Sequence, residues 1–317
     1  MSAKDPGPLL RFRHRLEFAA ISAIATVLET LPRGLALGAG AALGQLAWWT
    51  RLRRRLVLSN LAQALPETTS SERREIAERA ARNFGRTVCE FLRFSGADRR
   101  KVGDLVKIDG LEALEEALAE GRGAIVVTAH LGAWALYVTA LAAAGIPAAL
   151  LVGEQKNVKV NELILSIPGD AVDFIGKGKT APREILKTLR AGKVIVMVAD
   201  HYSSDQKVWV PFMGKKAFTL PLPGSLVARH GLPLFAMIGH RTSGGEHRLA
   251  LEPIDVPELD DVDALRLEVA VLSNARLGAA VRRYPDQYFW YHDRWKVREH
   301  KTAPRLVAEP EDVAARV

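Results

Sequence analysis

Cysteine is nearly absent. Cys89 stands alone in 317 residues, which excludes an intramolecular disulfide and a cysteine-based zinc cage. It sits in a helical pattern, Asn83-Phe-Gly-Arg-Thr-Val-Cys-Glu-Phe-Leu92, and reads as a buried structural thiol. There is no Gly-x-Ser-x-Gly, so the nucleophile elbow of a serine hydrolase is missing. Gly176-Lys-Gly-Lys-Thr180 resembles a phosphate loop but fails at its first glycine, because position 173 is Asp. Histidines at metal-ligand spacing are missing too, and no metal is expected. No apolar run reaches the ~20 residues that cross a bilayer comfortably, and no small-residue cleavage site marks a signal peptide.

What is present is positive charge, distributed unevenly. Lys and Arg number 44 against 36 Asp and Glu, a formal net charge of +8, which favours an acidic partner: nucleic acid, anionic lipid, an acidic carrier or a phosphate-bearing substrate. Nucleic acid is not expected, for no recognition motif occurs and the arginines gather elsewhere. Arg11, Arg13 and Arg15 precede the apolar stretch Phe18–Leu28; the uncharged stretch Gly34–Thr50 ends on Trp48-Trp49 before Arg51, Arg53, Arg54 and Arg55. Basic flanks and tryptophans around short apolar helices suit a bilayer interface with an anionic surface. Residues 1–55 are therefore expected to form membrane-associating helices. The plainer alternative is a hydrophobic hairpin packed on the main domain with its arginines merely solvated.

Residues 60–97 have helical texture, with a start at Ser70-Ser-Glu-Arg73 and apolar positions Ile76, Ala80, Phe84, Val88 and Phe91. From about Lys107 strands and helices alternate. Strands are expected at 123–129, 148–152, 172–175, 194–199, 208–211, 233–239 and 248–251. Helices are expected at 111–120, 134–144, 158–166, 181–191, 223–230 and 262–284. The expected fold is α/β, a mainly parallel mixed sheet flanked by helices. It should span residues 56–300, ahead of a flexible polar tail at 301–317.

One segment carries the chemistry. The apolar run Ala124-Ile-Val-Val-Thr-Ala129 ends in His130, followed by Leu-Gly132 and a helix-compatible stretch. A buried strand would deliver this histidine to the carboxyl edge of the sheet, where open α/β proteins bind and react. His130 is then a candidate general base near neutrality, or else a core histidine hydrogen-bonded at a strand end.

Four segments together resemble the late lipid A acyltransferases and the related phosphatidylinositol mannoside acyltransferases. They are Asn60-Leu-Ala-Gln-Ala-Leu-Pro66 with Asn83-Phe-Gly-Arg-Thr-Val88; the His130 segment; Val198-Ala-Asp200 with Val208-Trp-Val-Pro-Phe-Met-Gly214; and Pro285-Asp-Gln-Tyr-Phe-Trp290-Tyr-His-Asp-Arg294-Trp295. The resemblance implies an acyltransferase on the cytoplasmic face of the inner membrane. It would move a fatty acyl group from a thioester, carried by acyl carrier protein or coenzyme A, to a hydroxyl or amine of a membrane lipid acceptor. No cofactor is implied. In the family the base is a histidine with an acid five positions later, and that acid orients the imidazole as in a hydrolase triad.

Here that acid is missing: the position is Ala135. Asp200 is the candidate substitute, since it too ends an apolar run, and a turn or helix-capping aspartate is its plainer reading. The alternative is a catalytically weakened relative that binds acyl lipid or carrier; an alanine introduced deliberately to trap a substrate complex is a third explanation. His201 is a second candidate base. Trp134, Lys156, Asn157, Lys215 and Arg294 are the candidate substrate-binding residues. For Arg294 and His292, fold support or contacts at the acceptor edge are expected rather than proton transfer.

Overall fold

The computed structural model describes residues 7–94, 101–153, 157–201, 208–296 and 306–316; Lys156 lies outside them. In chain order its strands are β1 (Val106–Asp109), β2 (Ala124–Thr128), β3 (Ala148–Val152), β4 (Val172–Gly176), β5 (Val194–Val198), β6 (Val208–Phe212), β7 (Lys215–Phe218), β8 (Leu234–Arg241), β9 (His247–Pro253) and β10 (Leu306–Val307). The first five, with β8 and β9, form a seven-stranded sheet of order β1-β9-β8-β2-β5-β3-β4; β10-β6-β7 is a separate three-stranded sheet. Only the β8–β9 contact of the large sheet is antiparallel, so β2, β3, β4, β5 and β8 share one direction. The expected α/β class with a mainly parallel mixed sheet is what forms.

Every expected strand is there, with ends displaced by at most two residues. β1, β7 and β10 lie outside the expected strands. β1 is a short edge strand with the alternating sequence Val-Lys-Ile-Asp. β7 exists because Met213 (φ 52) and Gly214 (φ 83) both take left-handed backbone and fold Lys215–Phe218 back onto β6, the geometry of a tight hairpin turn.

Strand pleating divides the core into two layers. Ile125, Val127, Ile195 and Met197 face one way, Ala124, Val126, Val194 and Val196 the other. The helices are α1 (Pro8–Thr30), α2 (Arg33–Trp49), α3 (Arg54–Ala64), α4 (Ser70–Arg93), α5 (Val102–Leu105), α6 (Leu111–Ala119), α7 (Trp134–Ala143), α8 (Val158–Ser166), α9 (Ala181–Arg190), α10 (Leu222–His230), α11 (Val262–Arg283) and α12 (Pro310–Ala314). α6 and α7 pack into the second layer; α9, α10 and α11 cover the first. Within the C-terminal stretch expected to be a flexible tail, β10 pairs with β6, and Ala308 and Val313 are buried.

α4 begins with a reciprocal capping box between Thr69 and Glu72, which stabilises a helix start by about 1 kcal/mol. Its packing face differs from the expected one. Ile76 and Ala80 are buried, but Phe84 and Val88 remain 41% and 40% exposed. The reason is steric. α2 approaches α4 so closely that a Cβ on Gly85 would stand 2.0 Å from the Gly40 carbonyl oxygen, and one on Gly44 2.1 Å from that of Ala81. Small residues therefore define the seam, and the large ones are rotated away from it.

The N-terminal hairpin is thus seated on α4 through the inner face of α2, while Leu35, Leu43, Leu46 and Trp49 project outward. The buried Arg93 of α4 donates to the Leu28 carbonyl and, at 2.6 Å, to that of Leu31, satisfying acceptors at the end of α1. No helix among the described residues is long and apolar enough to cross a membrane.

Candidate active site

Strand register decides which residues meet. β2 and β5 are parallel neighbours with Thr128 opposite Val198. Two residues further along each strand stand His130 and Asp200, side by side at the carboxyl edge of the sheet. The Asp200 carboxylate accepts from His130 Nδ1 at 2.8 Å and from the His130 backbone N–H at 3.0 Å. Asp200 is wholly buried, whereas the His130 side chain keeps 19% of its surface. Burial alone would raise the Asp200 pKa. The His130 ring and both hydrogen bonds outweigh it and hold the carboxyl well below the usual range. An ionised carboxylate on Nδ1 fixes the Nδ1–H tautomer and leaves Nε2 as the proton acceptor.

His130 and Trp134 stand on the wall of a cavity of about 390 Å³, within the usual range for ligand pockets. Its lining is mostly apolar, with Val138, Leu150, Ile164 and Phe174 typical, and Lys177 adds a cation. Ala135 lines it as well, so the position where the resembling family carries an acid is here part of the apolar wall. α7 starts at Trp134 with no side-chain cap; its Leu136 and Tyr137 N–H groups donate to the Ala133 carbonyl, and those of Trp134 and Ala135 have no acceptor within the helix.

The motif segments meet around this edge. Gly132 N–H donates to the Gln287 carbonyl and Phe289 N–H to the His130 carbonyl, pairing the histidine turn with the segment 287–289. Asn83 donates to the Asp286 carbonyl at 2.7 Å. Asn60 donates to the carbonyls of Trp290 at 2.9 Å and His292 at 2.7 Å. These asparagines of α3 and α4 act as clamps on the C-terminal segment. Gly132 takes φ 59, and a Cβ there would stand 2.5 Å from the Tyr137 hydroxyl; glycine alone suits that turn.

The other candidates are dispersed. Asn157 is buried as the N-cap of α8 and donates to the His14 carbonyl at 2.8 Å. Arg294 is buried and does not line the cavity, donating to the Phe218 carbonyl at 2.5 Å and to Thr219 Oγ1 at 3.0 Å. Desolvation depresses its guanidinium to about 10, and its position is that of a fold support. Lys215 is exposed at the start of β7 and does not line the cavity.

His130, Asp200 and His201 lie close enough together to suggest metal ligands. The geometry argues otherwise. The two imidazoles are stacked, centroids 3.5 Å apart and planes 5° from parallel, so their in-plane lone pairs cannot converge on one ion. His130 Nδ1 is moreover engaged by Asp200.

A second buried charge network lies behind the site, and nothing in the sequence reading pointed to it. Glu90 of α4 accepts from Arg241 at 2.6 Å, from His247 Nε2 at 3.0 Å and from Arg33. His247 Nδ1 in turn meets the Tyr137 hydroxyl at 3.0 Å, which accepts from the Ala133 N–H at 3.1 Å. The chain runs from the start of α2 to the turn after His130. The available signal was a carboxylate on the same helical stripe as Ile76 and Ala80.

Residues 8–297 match the family of bacterial lipid A biosynthesis acyltransferases. The chain belongs to that family. It is also similar to the lipid A biosynthesis lauroyltransferase of Escherichia coli (strain K12), 26% identical over 309 residues that cover 92% of this chain and 94% of the relative. This family member is accordingly an acyltransferase of lipid A biosynthesis.

Proposed function

We propose that the protein transfers a fatty acyl group from a thioester donor to a hydroxyl or amine of a glycolipid acceptor, with His130 as general base. The observation that carries this reading is the His130–Asp200 pair at the wall of an apolar cavity. His130 Nε2 takes the acceptor proton as the acceptor heteroatom attacks the thioester carbonyl. Asp200 holds the ring and balances the imidazolium, the part played by the acid of a triad. The donor's acyl chain lies in the cavity, and the orphan N–H groups at the start of α7 face the developing oxyanion. Collapse of the tetrahedral intermediate expels the thiolate, which leaves with the proton His130 holds. Acyl carrier protein, being acidic, suits the chain's net charge of +8; acyl-CoA is the other donor.

The outward face of α2, uncharged from Leu35 to Trp49, rests on an anionic bilayer in this reading, with the flanking arginines at the headgroups. The working site is the inner membrane, on the cytoplasmic face where thioester donors are found. Because α2 is also seated on α4, outer-face substitutions test docking better than deletion of the hairpin. Leu43→Asp with Leu46→Asp should shift the folded protein from the membrane pellet to the soluble fraction, and unchanged sedimentation would refute the docking.

Lipid mass spectrometry of cells expressing the intact protein, His130→Ala or neither tests the chemistry. A lipid gaining one acyl mass only with the intact protein supports the transferase. A folded, membrane-bound protein that yields no His130-dependent product would instead make it the acyl-lipid-binding relative that Ala135 suggests.

A further inference from the structure

His130 is the first of three stacked imidazoles. His201 lies 3.5 Å from it, 5° from parallel, and His292 lies 3.9 Å from His201 at 14°. Trp134 meets the His130 ring edge-on at 5.0 Å. The column is tied at both ends: Asp200 holds His130 through Nδ1, and Asn60 holds the His292 backbone. Among the described residues His201 Nε2 is buried without a hydrogen-bond partner, and the ring meets His130 through its face.

We infer that His201 is a positioning residue whose neutral π-face fixes the plane of the His130 ring and stabilises the imidazolium formed when His130 takes the acceptor proton. The inference rests on the reading of His130 as base. A cation over an aromatic face is attracted to it, more strongly where water is excluded. The arrangement works only if His201 stays uncharged, since two imidazolium rings at this spacing would repel. Burial secures that: it pushes His201 down to about 3 and lowers His292. The other titratable or charged groups around the pair are Asp200, buried Tyr288 and Arg294, and Lys177 on the cavity wall. Asp200 opposes the positive charge at His130 and His201, and Asp293 joins it at His292.

The test compares His201→Phe with His201→Leu. Both side chains fill the space and exclude water, but only phenylalanine keeps a π-face. His130 is titrated by NMR of the full chain labelled at histidine, its signal assigned by its loss in His130→Gln. The Phe variant should titrate with the parent, and the Leu variant about half a pH unit or more lower, with turnover reduced about threefold or more. Coincident titrations in the two folded variants would overturn the inference, as would a Phe variant displaced as far as Leu. Turnover retained in His130→Gln would instead remove the base reading and leave the titration to judge the stacking separately.

Discussion

Two carboxylates are buried among the described residues, and each faces a histidine. Asp200 is wholly buried and Glu90 is 1% exposed. Both are held well below the ordinary carboxylate range against the opposing effect of burial. The difference lies in the histidines. His247 is completely enclosed, and both ring nitrogens are engaged, Nε2 by Glu90 and Nδ1 by Tyr137. His130 has one nitrogen on Asp200 and its ring on the wall of a cavity. An acid beside a histidine is therefore no mark of catalysis in itself. A proton can be traded only where one nitrogen remains unengaged and a substrate can reach it.

Substitution of the two acids should separate these roles most sharply. Asp200→Asn is nearly isosteric and should lower turnover by about 10⁴, the loss seen when the comparable triad acid is amidated, an effect far larger than the ~1–3 kcal/mol of stability forfeited with one buried charged acceptor. Glu90→Gln should do the reverse. It leaves Arg33 and Arg241 without their counter-charge, which costs about 3–5 kcal/mol of stability, with turnover per folded molecule kept within about tenfold. Denaturant unfolding and single-turnover kinetics on both variants measure this directly. A stable, inactive Glu90→Gln would erase the distinction between the two networks.

A smaller effect would show how far the sealed network supports the open one. Tyr137→Phe removes a hydroxyl that joins His247 to the Ala133 N–H. Each buried polar group left unpaired costs about 1–3 kcal/mol, and two are orphaned here, so a loss of about 2 kcal/mol or more is expected. If the turn after His130 depends on that hydroxyl, turnover falls as well, and the KM for donor stays constant. Unchanged stability would mean that water replaces the hydroxyl and that the network ends at His247.

The two acids were not equally legible in the sequence. His130 and Asp200 each terminate a β-branched run, and a largely parallel sheet sends such ends to one edge. Strand order supplied what no local pattern could: β2 and β5 are neighbours, with Thr128 and Val198 in register. Five residues after His130, along the helix, stands Ala135; the acid that pairs with His130 reaches it through space from the neighbouring strand. Glu90 was missed because its partners Arg33, Arg241 and His247 come from three distant elements, and only the fold joins them. Phe84 and Val88 were misjudged for another reason. Their spacing is helical, but the glycines of α2 and α4 set which face could approach, and hydrophobicity alone does not report that.

The smallest effect is a slope. His201, with a folded pKa of about 3, and His247, lowered by burial, both bind a proton more readily in the unfolded chain. Stability is therefore unaffected above the ordinary histidine pKa near 6.5 and falls as pH drops below it. The carboxylates act with the same sign but later. Their folded pKa values are depressed, so their contribution persists until pH falls through about 4. Between pH 6.5 and 5 the histidines dominate, each contributing up to about 1.4 kcal/mol per pH unit. His201→Phe should flatten the pH dependence of unfolding free energy over that interval by up to this amount and leave the decline below pH 4 in place. If the interval stays as steep in the variant, His201 is not the neutral, buried ring that the stacked column requires. The contrast between open and sealed histidines would then rest on His247 alone.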